Sequence, residues 1–254
     1  MNLKPQRRKE LAIPDGGSLP HIERRIATAD WNGVSTALDA DGFAVVAGLL
    51  DAQTCRAIAG LYPDDGRFRS HIHMARHGFG RGEYKYFAYP LPDVVGALRT
   101  ALYPALASIA NRWSEALGEE SRFPSRHIDF LNRCHGAAQT RPTPLLLKYA
   151  AGDYNCLHQD LYGEHVFPLQ VTILLSQPGD DFTGGEFVLT EQRPRMQSRA
   201  SVVPLRQGDA IVFAVHHRPV RGSRGAYRVN LRHGVSAVRT GDRYTLGIIF
   251  HDAT

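Results

Sequence analysis

The chain has 254 residues, which suits one β-rich domain with a large core. Its 43% hydrophobic and 22% charged residues exclude a disordered or fibrous chain. The net charge of +5 permits attraction to polyanions such as nucleic acid without requiring it. No apolar run reaches the ~18 residues of a membrane helix, and the polar start lacks the apolar core of a signal peptide, so we expect a cytoplasmic protein with no membrane partner.

The first 140 residues are predicted to be mainly helical. Residues 1–20 are basic and turn-rich, and we interpret them as an arm ahead of one domain at 21–254. Helical patterns cover 22–38, 52–61, 92–117 and 124–134, and a strand is predicted at 43–50. Pro104 is expected to split or kink the third helix. These helices form the predicted support, residues 21–140.

Basic and aromatic residues alternate between positions 68 and 92, which we interpret as a glycine-bearing loop. This stretch supplies four candidate substrate contacts: His71, Arg76, Tyr84 and Tyr86. A solvated loop with its aromatic rings folded inward is the alternative. His71 and His73 also have metal-compatible spacing, as in a cupin-type site. That interpretation is disfavoured because no glutamate follows at short spacing and Glu83 lies ten residues away.

From residue 145 onward the pattern is that of short strands divided by turns. The predicted strands are 145–150, 166–176, 186–190, 200–203, 210–215, 227–233 and 244–251. This spacing predicts a jelly-roll core over residues 141–254. The fold class is therefore α+β, a double-stranded β-helix with N-terminal helices packed on its major sheet. Cys55, Cys134 and Cys156 lack paired spacing, so we expect buried free thiols.

One short motif carries metal chemistry. In an extended strand, His158 and Asp160 point to the same side and can bind one ion. A third ligand from elsewhere would complete the two-histidine, one-carboxylate face of the non-haem Fe(II) oxygenases. His216, His217, His233 and His251 all lie on or beside predicted strands and compete for that place. Alternatively, His158 and Asp160 are ordinary surface residues.

The ordered motifs of residues 147–250 resemble the 2-oxoglutarate/Fe(II)-dependent oxygenase superfamily. They are Lys148 to Tyr154, His158-Gln159-Asp160, Gly184-Gly185-Glu186, Gly208 to Phe213, and His233-Gly234-Val235 followed ten residues later by Arg243. The segments 148–160 and 243–246 are also similar to the AlkB branch, which removes alkyl groups from nucleobases. Residues 68–86 and the full length resemble a bacterial subfamily labelled as acting oxidatively on damaged DNA.

The resemblance implies a role for each matched residue. His158, Asp160 and His233 would bind Fe(II), and Arg243 would bind the far carboxylate of 2-oxoglutarate, since a guanidinium is a planar two-point donor. Tyr149 matches a tyrosine that hydrogen-bonds this cosubstrate, and Thr245 shares the strand parity of Arg243. With O₂, the product would be a hydroxylated C–H bond, or an amine and formaldehyde when that carbon is attached to nitrogen.

One departure bears on the substrate. The AlkB branch has a second arginine six positions after the first, where this chain has Ile249. The pattern therefore resembles hydroxylases with a single arginine, and the candidate substrates are an alkylated base in nucleic acid, a protein side chain such as proline, and a small metabolite. A metal-binding jelly-roll sensor without activity is the remaining alternative. His217 and a loop with Arg218, Arg221 and Arg224 are further candidate contacts, whereas Arg228 and Arg232 are expected to point outward.

Overall fold

The structure is a computed structural model, and it describes residues 19–161, 163–223 and 225–254. The predicted arm therefore lies outside the described residues, apart from Leu19 and Pro20, where the first helix begins. Among the described residues, no helix is both long and apolar enough to cross a bilayer.

The α-helices of the described residues lie within the first 140 positions, as predicted, with different boundaries. They are α1 (Leu19–Ala27), α2 (Trp31–Asp41), α3 (Ala52–Ala59), α4 (Asp93–Ala116) and α5 (His127–Gly136). The predicted helix 22–38 is divided because the Asp30 side chain accepts a hydrogen bond from the Gly33 N–H and caps α2. Pro104 does not split α4, whose Leu98, Leu102 and Leu106 are buried in the core.

The strands occupy most of the chain after α5, with four additional strands before it. In chain order they are β1 (Phe43–Val46), β2 (Phe68–His73), β3 (Gly80–Arg81), β4 (Glu83–Phe87), β5 (Leu145–Tyr149), β6 (Tyr154–His158), β7 (Leu169–Leu174), β8 (Phe182–Gly184), β9 (Phe187–Gln192), β10 (Arg199–Val203), β11 (Ala210–Ala214), β12 (His217–Gly222), β13 (Gly225–Val235), β14 (Val238–Gly241) and β15 (Arg243–Ile248).

The named strands pair antiparallel in two large sheets and one small one. The major sheet has the order β1-β11-β7-β15-β5-β4-β2. The second sheet has the order β10-β9-β13-β6-β3, with β12 added to β13, and β8 pairs with β14. Helices α2, α3 and α4 contact β1 and β15 of the major sheet, as expected for helical support. The protein is thus a mixed structure of helices and antiparallel sheets.

Two predicted loops are strands in the structure. Residues 68–73 and 83–87 form β2 and β4, which extend the major sheet at one edge. Residues 217–222 form β12, which pairs with β13 along its whole length. The sequence did not predict these strands because their glycines and charged residues are typical of loops. The pairings themselves depend on partner strands elsewhere in the chain or across a hairpin. The strand predicted at 43–50 ends at Val46, where a turn through Gly48, with a φ of 58°, begins.

Candidate active site

The pairing of β6 with β13 brings three metal-binding side chains together. His158 at the end of β6 is the register partner of His233 in β13. The Nε2 atoms of His158 and His233 each lie 3.4 Å from a different oxygen of Asp160. The ligand atoms of the three residues all lie within 4.8 Å of one another. This arrangement fits one ion bound on one face, as the two-histidine, one-carboxylate site requires.

The chain around each histidine orients its ring. The His158 Nδ1 lies 2.8 Å from the Cys156 carbonyl oxygen, which leaves Nε2 directed at Asp160. The His233 ring lies against Phe213, with ring centroids 4.6 Å apart, and its Nδ1 is buried without a hydrogen bond among the described residues. Aromatic packing therefore holds His233, whereas a backbone carbonyl holds His158.

The carboxylate is the charged member of the cluster. Burial raises the pKa of Asp160, but hydrogen bonds to His158 and His233 outweigh it and hold the pKa well below its usual range. Burial lowers the pKa of His233 despite the nearby Asp160, so this imidazole stays neutral. A neutral imidazole and an ionised carboxylate are the forms that bind a divalent cation.

A buried guanidinium lies in the same cavity. Arg243 is 1% exposed, and its Nε and Nη1 atoms have no hydrogen-bond partner among the described residues. Its register partner Tyr149 is fully buried, and no described residue is hydrogen-bonded to the Tyr149 hydroxyl. The Arg243 Cζ lies 5.5 Å from the Tyr149 ring centre. Burial lowers the pKa of Arg243 to about 10, so it is still a cation at pH 7. These unpaired donors fit an anionic ligand.

Because Gly185 has no side chain, the Arg243 side chain can pack closely against it. The φ of Gly185 is +63°, and a Cβ at this position would lie 2.8 Å from the Arg243 Cδ and 2.9 Å from the Val238 Cγ2. Gly184 also has a positive φ, so both glycines form a turn here. Gly185 therefore combines a left-handed turn with close approach to Arg243.

One cavity of about 250 Å³ connects the donor cluster with the guanidinium. Its inner surface comes from both sheets. The lining residues are Phe79, Tyr84, Tyr86, Leu145, Leu147, Tyr149, Asn155, His158, Gln159, Asp160, Gln170, Thr172, Phe187, His233, Gly234, Val235, Arg243, Thr245 and Ile249. The cavity can hold a small dicarboxylate beside an ion, with a wall of tyrosines and Phe79 left for a further ligand.

The predicted substrate contacts divide into two groups. Tyr84 and Tyr86 line the cavity, because alternate residues of β4 face it. His71, Arg76 and His217 do not line it, so the structure does not bring these three predicted contacts together with the donor cluster. His71 lies on the other face of the major sheet, Arg76 is exposed in a 3₁₀ turn, and His217 lies 3.6 Å from Glu119 in a separate pocket.

The competing histidines are also placed away from the donor cluster. His251 is buried, and its Nδ1 accepts a hydrogen bond from the Phe167 N–H. His216 contacts the ring of its neighbour His217. Among the candidates for the third ligand, His233 alone joins His158 and Asp160 in a cluster within the described part of the chain.

The sequence prediction missed two glutamines that enter the cavity. Gln159 donates from Nε2 to the Leu231 carbonyl oxygen at 2.8 Å, which ties the segment between His158 and Asp160 to β13. Gln170 is 5% exposed, and its Oε1 has no hydrogen-bond partner among the described residues. The signal that could have identified Gln170 is its place as a polar residue in the largely apolar strand Leu169–Leu174.

Two further expectations are wrong. Arg218 does not lie on an exposed loop. It is 1% exposed in β12, and its Nη2 lies 2.6 Å from the Glu191 Oε2. Arg221 is exposed, Arg228 and Arg232 point outward as predicted, and position 224 lies outside the described residues. Cys156 in β6 is exposed rather than buried, whereas Cys55 and Cys134 are buried free thiols.

The fold is similar to that of solved oxygenases. A prolyl-4-hydroxylase of Pseudomonas putida matches with a TM-score of 0.51 and 14% identity over 88% of this chain and 99% of that chain. A 2OG-Fe(II) oxygenase family oxidoreductase of Burkholderia pseudomallei matches with a TM-score of 0.53 and 15% identity over 89% of this chain and 94% of that chain. A Trichoplax adhaerens prolyl hydroxylase, solved with a hypoxia inducible factor peptide, matches with a TM-score of 0.54 and 16% identity over 91% of this chain and 90% of that chain.

The chain thus has the fold of the solved 2-oxoglutarate- and Fe(II)-dependent oxygenases, with a donor cluster and a buried guanidinium in one cavity. The sequence comparison is more specific. Residues 82–253 match the model of a family described as an oxygenase catalysing oxidative methylation of damaged DNA. Two uncharacterized proteins from two strains of Mycobacterium tuberculosis are each 54% identical over 167 residues, which are 66% of this chain and 72% of the relative. The chain belongs to this family, Oxygenase-NA.

Proposed function

We propose that the protein hydroxylates a C–H bond of an organic substrate with Fe(II), 2-oxoglutarate and O₂. The observation that carries the proposal is the buried, unpaired Arg243 in the same cavity as His158, Asp160 and His233. An unpaired buried cation is costly, and an anionic cosubstrate would compensate it. When bound, Fe(II) and 2-oxoglutarate supply the oxidising power from O₂, with succinate and CO₂ as the coproducts.

The residues fit this cofactor set. His158 and His233 would bind Fe(II) through Nε2, and Asp160 through its carboxylate. Arg243 would bind the far carboxylate of 2-oxoglutarate with two parallel hydrogen bonds. The Tyr149 hydroxyl, which burial keeps protonated by raising its pKa, would donate a further hydrogen bond, and Thr245 would add a hydroxyl group.

The proposal includes the domain organisation. Residues 21–254 act as one domain, and the two large sheets form the double-stranded β-helix predicted from the sequence. The cavity between these sheets is enclosed on one side by β15 and β5, which carry Arg243 and Tyr149, and on the other by β6 and β13, which carry the two histidines. Such a sheet pair excludes water from the cosubstrate.

The substrate we favour is an alkylated nucleobase. The Tyr84 and Tyr86 rings are perpendicular, with centroids 5.4 Å apart, and Phe79 is 47% exposed at the same cavity. Aromatic side chains stack on the flat face that every base has, so these contacts do not depend on the nucleotide sequence. The family description refers to damaged DNA. Hydroxylation of a methyl group on nitrogen would release formaldehyde and restore the amine.

The first experiment tests cofactor use. Purified protein with Fe(II), 2-oxoglutarate and O₂ should form succinate, and Asp160→Ala should reduce the rate by more than about 100-fold because a metal ligand is lost. Asp180→Ala, at an exposed position remote from the cavity, is the matched control. A protein that binds Fe(II) but forms no succinate with any substrate tested would be a metal-binding sensor instead.

The second experiment tests the substrate class. Single-stranded oligonucleotides with N-methylated bases are compared with proline-containing peptides, and formaldehyde and hydroxylated peptide are measured. We expect formaldehyde with the oligonucleotides only, and affinity that falls as salt rises. Tyr84→Ala should raise KM for the oligonucleotide and leave substrate-independent succinate formation intact. Peptide hydroxylation without formaldehyde would assign the protein to the prolyl-hydroxylase type.

A further inference from the structure

A second cluster of metal-binding side chains lies on the opposite face of the major sheet. His73 in β2 is the register partner of Glu83 in β4, and His71 lies two positions away on the same face. The His71 Nε2 is 2.7 Å and the His73 Nδ1 is 3.6 Å from the same Glu83 oxygen, Oε2. The three residues offer ligand atoms within 4.8 Å of one another. The ten-residue separation that disfavoured this cluster in the sequence is bridged by the strand pairing.

These donors suit zinc better than a hard cation. Two imidazoles and a carboxylate are a common zinc set, with Zn–N and Zn–O distances of about 2.0–2.2 Å. Donors placed tetrahedrally around such an ion are about 3.4 Å apart. The separations of 2.7 Å and 3.6 Å from the Glu83 oxygen bracket this value, so binding requires only small side-chain rotations.

The neighbouring Tyr62 supports a bound group here. Tyr62 is 6% exposed, and its hydroxyl has no hydrogen-bond partner among the described residues. Its ring meets the His71 ring edge-on, with centroids 6.4 Å apart. The Tyr62 hydroxyl also lies close to the Glu83 carboxylate. A buried donor beside Glu83 can bind its carboxylate or a water on the ion.

Nearby positive charges do not occupy the cluster. Lys85 Nζ is 2.6 Å from the Asp65 Oδ1 and donates to the Tyr62 carbonyl oxygen at 3.0 Å, so its charge is directed away and balanced. Lys148, the partner of Glu83 in β5, and Arg81 line one pocket with His73 and Glu83, together with the acidic Asp153. The positive charges of Lys148 and Arg81 weaken cation binding without blocking the donors, because a positive neighbour lowers affinity through space.

We propose that His71, His73 and Glu83 bind a zinc ion that fastens the edge strand β2 to β4. The fourth position is filled by water, since His71 is exposed. The ion would stabilise the sheet edge whose other face carries Tyr84 and Tyr86 in the cavity. Arg243 lies on that other face, so this second cluster has no cosubstrate anchor and serves structure rather than oxidation.

The test counts zinc ions per chain. Metal-free protein is dialysed against Zn²⁺, and its metal content is measured by mass spectrometry. We expect two ions in the wild type, because the Fe(II) site also accepts zinc, one in Asp160→Ala, and one in the double variant His73→Asn, Glu83→Gln. His77→Asn, at an exposed histidine outside both clusters, is the matched control and should keep two.

A second measurement distinguishes a loss of zinc binding from a folding defect in the variants. Circular dichroism monitors each variant, and His71→Gln replaces the double variant if that protein is unfolded. In the Asp160→Ala background, zinc should raise Tm, and adding His71→Gln should abolish the rise. Equal zinc content in the wild type and the folded cluster variants would overturn the proposal, as would an Asp160→Ala protein that binds no zinc.

Discussion

His158 and His233 are register partners across β6 and β13, although 75 positions separate them in the chain. Their ring centroids are 4.2 Å apart. Partner residues on one face of an antiparallel pair have adjacent side chains, so the ladder itself places two ligands together. Asp160, just beyond the end of β6, completes the cluster. The donor arrangement therefore follows from strand pairing and does not depend on a metal to gather it.

Replacing the buried guanidinium should have opposite effects on binding and stability. We expect Arg243→Met to weaken 2-oxoglutarate binding by about 10- to 100-fold, because charge-assisted hydrogen bonds contribute about 1.5–3 kcal/mol. The same change should raise the free energy of unfolding of the ligand-free protein, since it removes an unpaired buried charge. Calorimetric titration and urea unfolding measure the two effects. Arg239→Met, at an exposed arginine, is the control, and equal 2-oxoglutarate affinity in both variants would contradict the assignment.

Adding one methyl group at Gly185 should displace Arg243. Gly185→Ala would place its Cβ 2.8 Å from the Arg243 Cδ, so we expect a raised KM for 2-oxoglutarate. Gly179→Ala is the matched control, because its φ is +89° but nothing lies within 4 Å of its Cβ. Both variants should lose about 1 kcal/mol of stability from the left-handed backbone. A KM shift of the same size in both would show that the backbone, and not the contact with Arg243, is responsible.

Arg218 should act on stability and not on ligand binding. Arg218→Ala removes the 2.6 Å partner of the Glu191 Oε2, while Arg193 still pairs with the Oε1 at 2.7 Å, so we expect a loss of about 1.5–3 kcal/mol, the contribution of one hydrogen bond to a charged group. Arg221→Ala, three residues away and exposed, should change the free energy of unfolding by less than about 0.5 kcal/mol. Urea unfolding compares the two variants. If Arg218→Ala weakened oligonucleotide binding while the protein stayed as stable as the wild type, the structural role would be refuted.

Two buried histidines should make the protein acid-sensitive. Burial, reinforced by the charge of Arg99, lowers the pKa of His127 and of His251 to about 4. The unfolded chain binds their protons near pH 6.5, so stability is complete above that pH and is lost as the pH falls toward 4. Each histidine contributes up to about 3 kcal/mol to this loss. His127→Phe should flatten the dependence of the unfolding free energy between pH 4.5 and 7, and an unchanged slope would contradict the assignment.

The sequence predicted the parts of the site that depend on local pattern. His158 and Asp160 converge because an extended backbone repeats every two residues, and Arg243 and Thr245 share a face for the same reason. The family resemblance selected His233 from four candidates. Without the resemblance, the third ligand could not be chosen among these histidines, because the register between two distant strands cannot be read from either strand alone.

The errors have the same physical origin. Residues 68–92 have glycines and basic residues that are typical of loops, yet β4 pairs with β5 through positions 60 residues away and becomes a strand. Arg218 has an exposed-type side chain, but Glu191 on another strand makes its burial favourable. In each case a tertiary partner outweighed the local preference.

The two faces of β4 contribute to two different sites. Tyr84 and Tyr86 face the cavity, whereas Glu83 and Lys85 lie on the face that carries the histidine cluster. Inserting or deleting one residue within this strand would exchange the faces. The aromatic rings would then meet the histidines, and the carboxylate would enter the cavity. Among homologues, β4 should tolerate substitutions but no change in residue number.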